Sequence, residues 1–436
     1  MIVVESAEHL KRFTVNLDKY DRVKAFVIWG ESSIPEGYSG PRFFLWKDFL
    51  QIGQAVKDEA IVAKMDRQKP GECCCLIYTS GTTGNPKGCM LSHDNLTWET
   101  VCTQSIIERE RPAAVGPHNR IVSYLPLSHI AGLCFDVLQH YVNVCELFFA
   151  RPDALQGTLV ETLQWARPTS FFAVPRVWEK FEERLKEIAA TKPAFVQSIS
   201  GWAKSYGWAN TLAQQNHVDP PFMYSVANFL ILKRIKQQLG LDQCIGFFFG
   251  AAPLRRASIE YFGSLDMILF NLYGMSETTG AFTIQTFSKF SFTSAGFAMD
   301  GCDLLIANPD ENGEGEICMR GRNIMMGYLK NEEATKSTID AYGYVRSGDR
   351  GKVDAEGFLK ITGRIKELII TAGGENVAPV PVEDSFKLEC AACSNIMMVG
   401  EQQRFMAALI TFKVDVDPKS GVPSRNLTAE AKNCFK

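Results

Sequence analysis

The densest run of chemically useful residues is Tyr78-Thr79-Ser80-Gly81-Thr82-Thr83-Gly84-Asn85-Pro86-Lys87-Gly88. Small hydroxylated residues set between glycines let a backbone come close to an anion and aim amide and hydroxyl donors at it, and Lys87 adds a positive charge. Phosphate is the natural guest of such a cradle. The phosphate loop of nucleoside triphosphatases requires Gly, four residues, then Gly-Lys-Ser/Thr. Here Pro86 precedes the lysine and has no amide to donate, and Gly88 follows it with no hydroxyl for a metal, so that loop is excluded. A plain polar hairpin loop is the bland alternative. The expected context is a buried strand over residues 73–77 leading in, and a helix capped near Ser92 leading out.

Five more stretches carry candidate groups. Tyr273-Gly274-Met275-Ser276-Glu277-Thr278-Thr279-Gly280 and Gly250-Ala251-Ala252-Pro253 follow apolar runs that read as strands. Open α/β sheets bind ligands at that edge. Glu277 offers oxygen to a hard cation. Asp349, in Arg346-Ser347-Gly348-Asp349, would pass alone for a turn-former, as acidic residues in glycine-rich turns commonly are. Arg364 and Lys366 stand in the polar stretch Thr362-Gly363-Arg364-Ile365-Lys366-Glu367. His129, in Pro126-Leu127-Ser128-His129, is either a satisfied core histidine or an imidazole that orients a substrate.

Read through, residues 78–95 (YTSGTTGNPKGCMLSHDN) resemble the signature loop of the adenylate-forming superfamily: acyl-CoA synthetases, luciferases and adenylation domains. The stretch is similar in particular to the long-chain fatty acyl-CoA synthetases of bubblegum type. Val174-Pro175-Arg176-Val177-Trp178-Glu179-Lys180 and Gly374-Glu375-Asn376-Val377 point the same way. The resemblance implies an α/β fold, a large layered α/β domain over residues 1–364 and a small mobile α+β domain over residues 365–436. It implies activation of a long-chain fatty acid with ATP and Mg2+ through an acyl-adenylate, followed by transfer to CoA.

By the same resemblance Thr79, Ser80, Gly81, Thr82, Thr83, Gly84, Asn85, Pro86 and Lys87 hold the phosphates. Tyr273 stacks on adenine beside Gly274 and Met275, and Ser276 or Thr278 contacts a phosphate. Glu277 holds the magnesium, Asp349 accepts from the ribose hydroxyls, and Arg364 lies near ribose and phosphate. His129 borders the carboxylate, so that Lys87, Glu277 and His129 carry the chemistry. Lys366 is the hinge about which the small domain turns, bringing the loop of residues 373–376 to the CoA tunnel. One departure stands out. The family's second-domain lysine lies in a Pro/Gly/Lys context, and Asp417-Pro418-Lys419-Ser420-Gly421 has the wrong order and comes too early; the resembled enzymes also carry a longer stretch ahead of the phosphate loop, so a chain shortened at both ends is expected. A nucleotide- or acyl-binding remnant without turnover, and an adenylating enzyme for another carboxylate, are the alternatives.

The elements that must position these groups alternate. Strands are expected at residues 1–4, 23–29, 121–125, 147–150 and 170–174, and helices at 6–13, 43–64, from 175, and through most of 192–239. Antiparallel sheets are expected at 314–320 and 343–359. With 436 residues, 46% of them hydrophobic, the chain can bury a large core in two or more domains. A net charge of -3 gives no general attraction to polyanions, which excludes nucleic acid as a partner. The 13 cysteines show no stapling pattern and read as thiols of a reducing compartment. Cys390 and Cys393 form an isolated pair without further metal ligands. No apolar run approaches the roughly 18 residues of a membrane span, and Glu5, Glu8, Lys11 and Arg12 interrupt any signal peptide. The expected setting is the cytoplasm, with peripheral attachment to the endoplasmic reticulum membrane left open.

Overall fold

The computed structural model describes residues 1–15, 17–38, 40, 42–79, 85–112, 116–370, 372, 376–390, 392–403, 405–416 and 423–434. The chain forms two compact units, Met1–Pro70 and Gly71–Lys436, and the joint expected between residues 364 and 365 lies inside the second.

In the first unit, Ile2–Val4, Phe26–Ile28 and Phe43–Leu45 make a parallel sheet in that order. Helix Ala7–Thr14 is capped by Ser6, whose hydroxyl accepts from the His9 amide. Val4, Leu10, Phe26, Ile28 and Phe43 form the core. The helix expected over residues 43–64 is corrected: it is a strand, Phe43–Leu45, followed by helices Trp46–Gln54 and Asp58–Met65. Parallel pairing with Phe26–Ile28 buries Phe43 and Leu45 on a strand period, which outweighs the helical propensity downstream.

The second unit is built on a five-stranded sheet ordered Phe297–Ala298, Gly280–Ile284, Leu269–Met275, Gly246–Gly250, Ser170–Ala173. The last three are parallel. Along Gly246–Gly250 the side chains alternate: Phe247 and Phe249 enter one apolar cluster, Phe248 another. Pro175 opens helix Pro175–Ala190, which buries Trp178 and Phe181 against the first of these clusters. Glu182 and Lys186 pair across 2.6 Å on that helix.

Strand Cys73–Thr79 is present, but it is the edge of a three-stranded antiparallel sheet and buries chiefly Ile77. The expected passage from loop directly to helix is also corrected. The chain first returns as strand Lys87–Ser92, paired with Cys73–Thr79 on one side and Gly327–Tyr328 on the other. Helix His93–Glu110 begins only after a capping box, in which Ser92 and Asn95 each bond the other's backbone. A four-stranded antiparallel sheet, Asp303–Ala307, Gly315–Arg320, Val345–Val353 and Leu359–Arg364, contains the two stretches expected to be antiparallel. Further on, helix Pro379–Glu389 lies beside the hairpin Cys393–Val399 and Ala407–Phe412. Among the described residues no helix is long and apolar enough to cross a membrane.

Candidate active site

A cleft of about 600 Å³ in the second unit gathers Thr79, Lys87, His129, Glu277, Asp349, Arg364 and Lys366, along with Gly274, Met275 and Ser276. These residues come from the hairpin, from the stretch after strand Arg120–Ser123, from the carboxyl end of the main sheet, from the strands Val345–Val353 and Leu359–Arg364, and from the turn Ile365–Glu367. Asn85 and Pro86 are exposed and do not line it. Ser80, Gly81, Thr82, Thr83 and Gly84 lie outside the described residues, as do residues 373–375 of the loop expected to meet CoA. Lys87 enters the cleft because it is the first residue of the return strand, in register opposite Thr79.

Glu277 sits in a tight turn between strands Leu269–Met275 and Gly280–Ile284. The turn needs Gly274, where a Cβ would fall 1.8 Å from the Gly280 carbonyl oxygen. Thr278 is placed otherwise than expected. It is fully buried, and its hydroxyl accepts from the Met275 amide and lies within hydrogen-bond distance of the Met275 and Gly280 carbonyls, so it builds the turn and does not line the cleft. Ser276 does line it. Behind the turn, Asn323 donates to Glu99 Oε2 at 3.1 Å and to the Ala281 carbonyl at 3.3 Å. Burial holds the Glu99 carboxyl well above the usual carboxylate range.

Tyr328 lines the cleft and belongs to no motif picked out in the sequence. Its hydroxyl donates to Glu277 Oε1 at 2.5 Å, and the Lys87 ammonium sits 5.0 Å from the centre of its ring. Burial and the neighbouring Glu277 both push its phenol up, so it stays protonated and remains a donor. Pairing of Gly327–Tyr328 onto Lys87–Ser92 puts it there.

Asp349 and Arg364 face each other in register, with Arg364 Nε 3.2 Å from Asp349 Oδ1. The second oxygen, Oδ2, accepts from the Tyr273 hydroxyl at 2.7 Å. Tyr273 therefore stands behind the cleft wall, its ring against the cluster of Phe282 and Ile317, and not among the lining residues where stacking on adenine would put it. Its phenol is raised by burial first and by Asp349 next. His129 is exposed in the cleft, and its Nδ1 accepts from the Ala131 amide at 3.2 Å, so the neutral ring carries its hydrogen on Nε2.

Lysine at a phosphate-type loop, a carboxylate in a glycine turn, and an Asp–Arg pair thus share one cleft. Residues 36–329 match the AMP-binding enzyme family. The chain belongs to this family. It is 45% identical over 434 residues to the long-chain-fatty-acid–CoA ligase ACSBG2 of Gallus gallus, covering 99% of this chain and 56% of that one. Against ACSBG2 of Xenopus laevis it is 42% identical over 432 residues, covering 99% and 58%. The chain therefore spans little more than half the length of these relatives. Among solved structures, the anthranilate CoA ligase AuaEII in complex with anthranoyl-AMP superposes with a TM-score of 0.66 at 17% identity, over 97% of this chain and 68% of that one. The fold is that of the adenylate-forming, AMP-binding enzymes.

Proposed function

We propose that the chain carries the activating site of an ATP-dependent, AMP-forming long-chain fatty acid–CoA ligase. The observation that carries this reading is the convergence of Lys87, Glu277, Asp349 and Arg364 on one cleft, and the identity to named long-chain-fatty-acid–CoA ligases supports the substrate class.

In the first half-reaction a carboxylate oxygen attacks the α-phosphorus of ATP and pyrophosphate leaves. In the second the sulfur of CoA attacks the acyl carbon and AMP leaves. Charge builds on the phosphoryl oxygens in the first step, so fixed cations and donors dominate its catalysis. Lys87 supplies such a cation, set by the hairpin register and by the Tyr328 ring. Asp349, its oxygens held by Tyr273 and Arg364, would accept from ribose hydroxyls. His129 Nε2 can donate to the incoming carboxylate. Glu277, 6% exposed and steered by Tyr328, suits a hard divalent cation such as Mg2+, which when bound would neutralise phosphate charge. Lys366, in the short turn Ile365–Glu367 after strand Leu359–Arg364, would be the joint about which residues 365–436 turn between the half-reactions. The same reading gives the protein a cytoplasmic setting, with peripheral attachment at the membrane that supplies its lipid substrate.

The test is ATP–pyrophosphate exchange by this chain with hexadecanoate. Exchange that requires the fatty acid supports the reading. ATP binding without exchange, or exchange only with aryl or amino acids, overturns it.

A further inference from the structure

In the second unit, residues 224–239 run as three consecutive helical stretches, Tyr224–Ala227, Asn228–Leu232 and Lys233–Leu239, the middle one a π-turn. One side of this helix is fully used. Ala227, Leu232 and Leu239 are buried in the cluster that holds Phe247 and Trp178, and Tyr224, Ile231 and Ile235 pack against it. The other side faces solvent, where a helix ordinarily carries polar residues. Here Val226, Phe229 and Leu230 are exposed at positions i, i+3 and i+4, Phe229 by 72%. Phe222 stands just ahead of them, 94% exposed and held out directly after the rigid pair Pro220-Pro221. Exposed apolar residues scattered singly are ordinary, but four within nine positions, three of them on one helix face, form a patch.

The same face continues into charge. Lys233 and Arg234, at i+7 and i+8 from Val226, are exposed and make no ion pair among the described residues, whereas Lys236 is paired with Asp266 at 2.7 Å. The helix Ala194–Gln215, which packs beside this one, carries Lys204 and no acid. From residue 191 to residue 241 the chain has Lys192, Lys204, Lys233, Arg234 and Lys236 against the single acid Asp219, although its net charge overall is -3.

Apolar tips ahead of unpaired cations complement a surface that is apolar inside and anionic at its rim, which is a lipid bilayer with acidic headgroups. A second copy of the chain fits poorly, because a two-fold contact would set Lys233 and Arg234 against their own counterparts or bury them where no acid answers. We propose that the face of Phe222, Val226, Phe229 and Leu230, with Lys233 and Arg234 behind it, docks the protein on anionic phospholipid bilayers. The proposal rests on the ligase reading, which supplies the reason to meet a membrane, and adds to it a surface and a lipid chemistry. Each phenylalanine moved out of water contributes about tenfold or more to such binding, and each basic side chain near an anionic surface about fivefold.

The test is cosedimentation of the full chain, without ATP or fatty acid, with vesicles of two parts phosphatidylcholine to one part phosphatidylserine and with vesicles of phosphatidylcholine alone. The mixed vesicles should bind about tenfold or more tightly, a margin that shrinks as added salt screens the headgroups. Phe222→Ser combined with Phe229→Ser should weaken binding to both kinds of vesicle about a hundredfold. Lys233→Gln combined with Arg234→Gln should remove most of the preference for the mixed vesicles and leave binding to phosphatidylcholine within about twofold. None of the four residues lines the cleft, so urea unfolding and exchange with dissolved hexadecanoate should stay as in the wild type. Absence of binding to the mixed vesicles, or binding that survives both pairs of substitutions, overturns the proposal, as does self-association that the phenylalanine variant abolishes in a chain that binds no vesicle. Those results leave the ligase reading standing wherever exchange with hexadecanoate is seen. Vesicle binding that the variants lose, in a chain that shows no exchange, supports the docking surface and removes the ligase reading.

Discussion

The Tyr328 hydroxyl donates to Glu277 Oε1 across 2.5 Å while its ring carries the Lys87 ammonium at 5.0 Å. One side chain thus sets the distance between the cation and the carboxylate of the site. Tyr328→Phe keeps the ring and removes the donor, so kcat for exchange should fall about tenfold with little change in KM for ATP. Tyr328→Leu also removes the face under Lys87 and should raise KM for ATP as well. Glu277→Ala should cost about a hundredfold or more, as loss of a charge-stabilising group does. Unchanged kinetics in Tyr328→Phe, with normal unfolding, would remove the residue from the site.

Asp349 is held by two partners of different kinds, the Tyr273 hydroxyl at 2.7 Å and Arg364 Nε at 3.2 Å. Tyr273→Phe leaves the ring packed and takes away one hydrogen bond, so the carboxylate loses its fixed orientation without losing its charge. KM for ATP should rise several-fold, roughly what one hydrogen bond contributes, while Asp349→Ala should raise it further. Equal effects of Tyr273→Phe on ATP affinity and on an unrelated probe of folding would mean that Tyr273 serves packing alone.

That Lys87, Glu277, Asp349 and Arg364 line one cleft was legible from the family resemblance of the runs that hold them; Asp349 and Arg364 alone carried little signal. Tyr328 was not legible: it meets Glu277 from 51 positions away, through a two-residue strand with no motif of its own. The Asn323–Glu99 support spans 224 positions and is equally silent in sequence. The alternation of strands and helices read correctly over the main sheet, where Phe247 to Phe249 spell a buried strand outright. It failed at Phe43–Leu45 and at Lys87–Ser92. Both are short strands defined by their neighbours' edges and not by their own periodicity. Family likeness offered Thr278 as an alternative to Ser276 for a phosphate and gave the Tyr273 ring to adenine, whereas the Thr278 hydroxyl is taken up by the backbone of the turn and Tyr273 is not among the residues lining the cleft.

Trp178 links the helix Pro175–Ala190 to the main sheet. It is fully buried, packs edge-on against Phe262 at 5.0 Å and Phe171 at 5.4 Å, and donates from Nε1 to the Phe248 carbonyl at 3.2 Å. Trp178→Ala should destabilise the second unit by about 3–5 kcal/mol through the cavity it opens, with the orphaned carbonyl adding to it. Trp178→Phe should cost less. Urea unfolding checks both, and a loss below about 1 kcal/mol for the alanine variant would contradict the packing described.

Asp136 gives the protein a stability that depends on pH. Burial raises its carboxyl from 3.8 to about 7, and the hydrogen bond from Ser123 only partly offsets this. Between these values the unfolded chain has released the proton and the folded chain still holds it, so the unfolded state binds fewer protons and stability falls as pH rises. The contribution is fully present below about pH 4 and is lost as pH passes 7, an upper limit of about 4 kcal/mol. Glu99, also raised by burial, acts in the same direction, so the wild-type curve alone does not isolate Asp136. Asp136→Asn does, because the amide cannot titrate. Measured by urea unfolding from pH 4 to 8, the difference between variant and wild type should move steadily in the variant's favour. A difference that stays constant across that range would show that the Asp136 carboxyl ionises as readily in the folded protein as in the unfolded one.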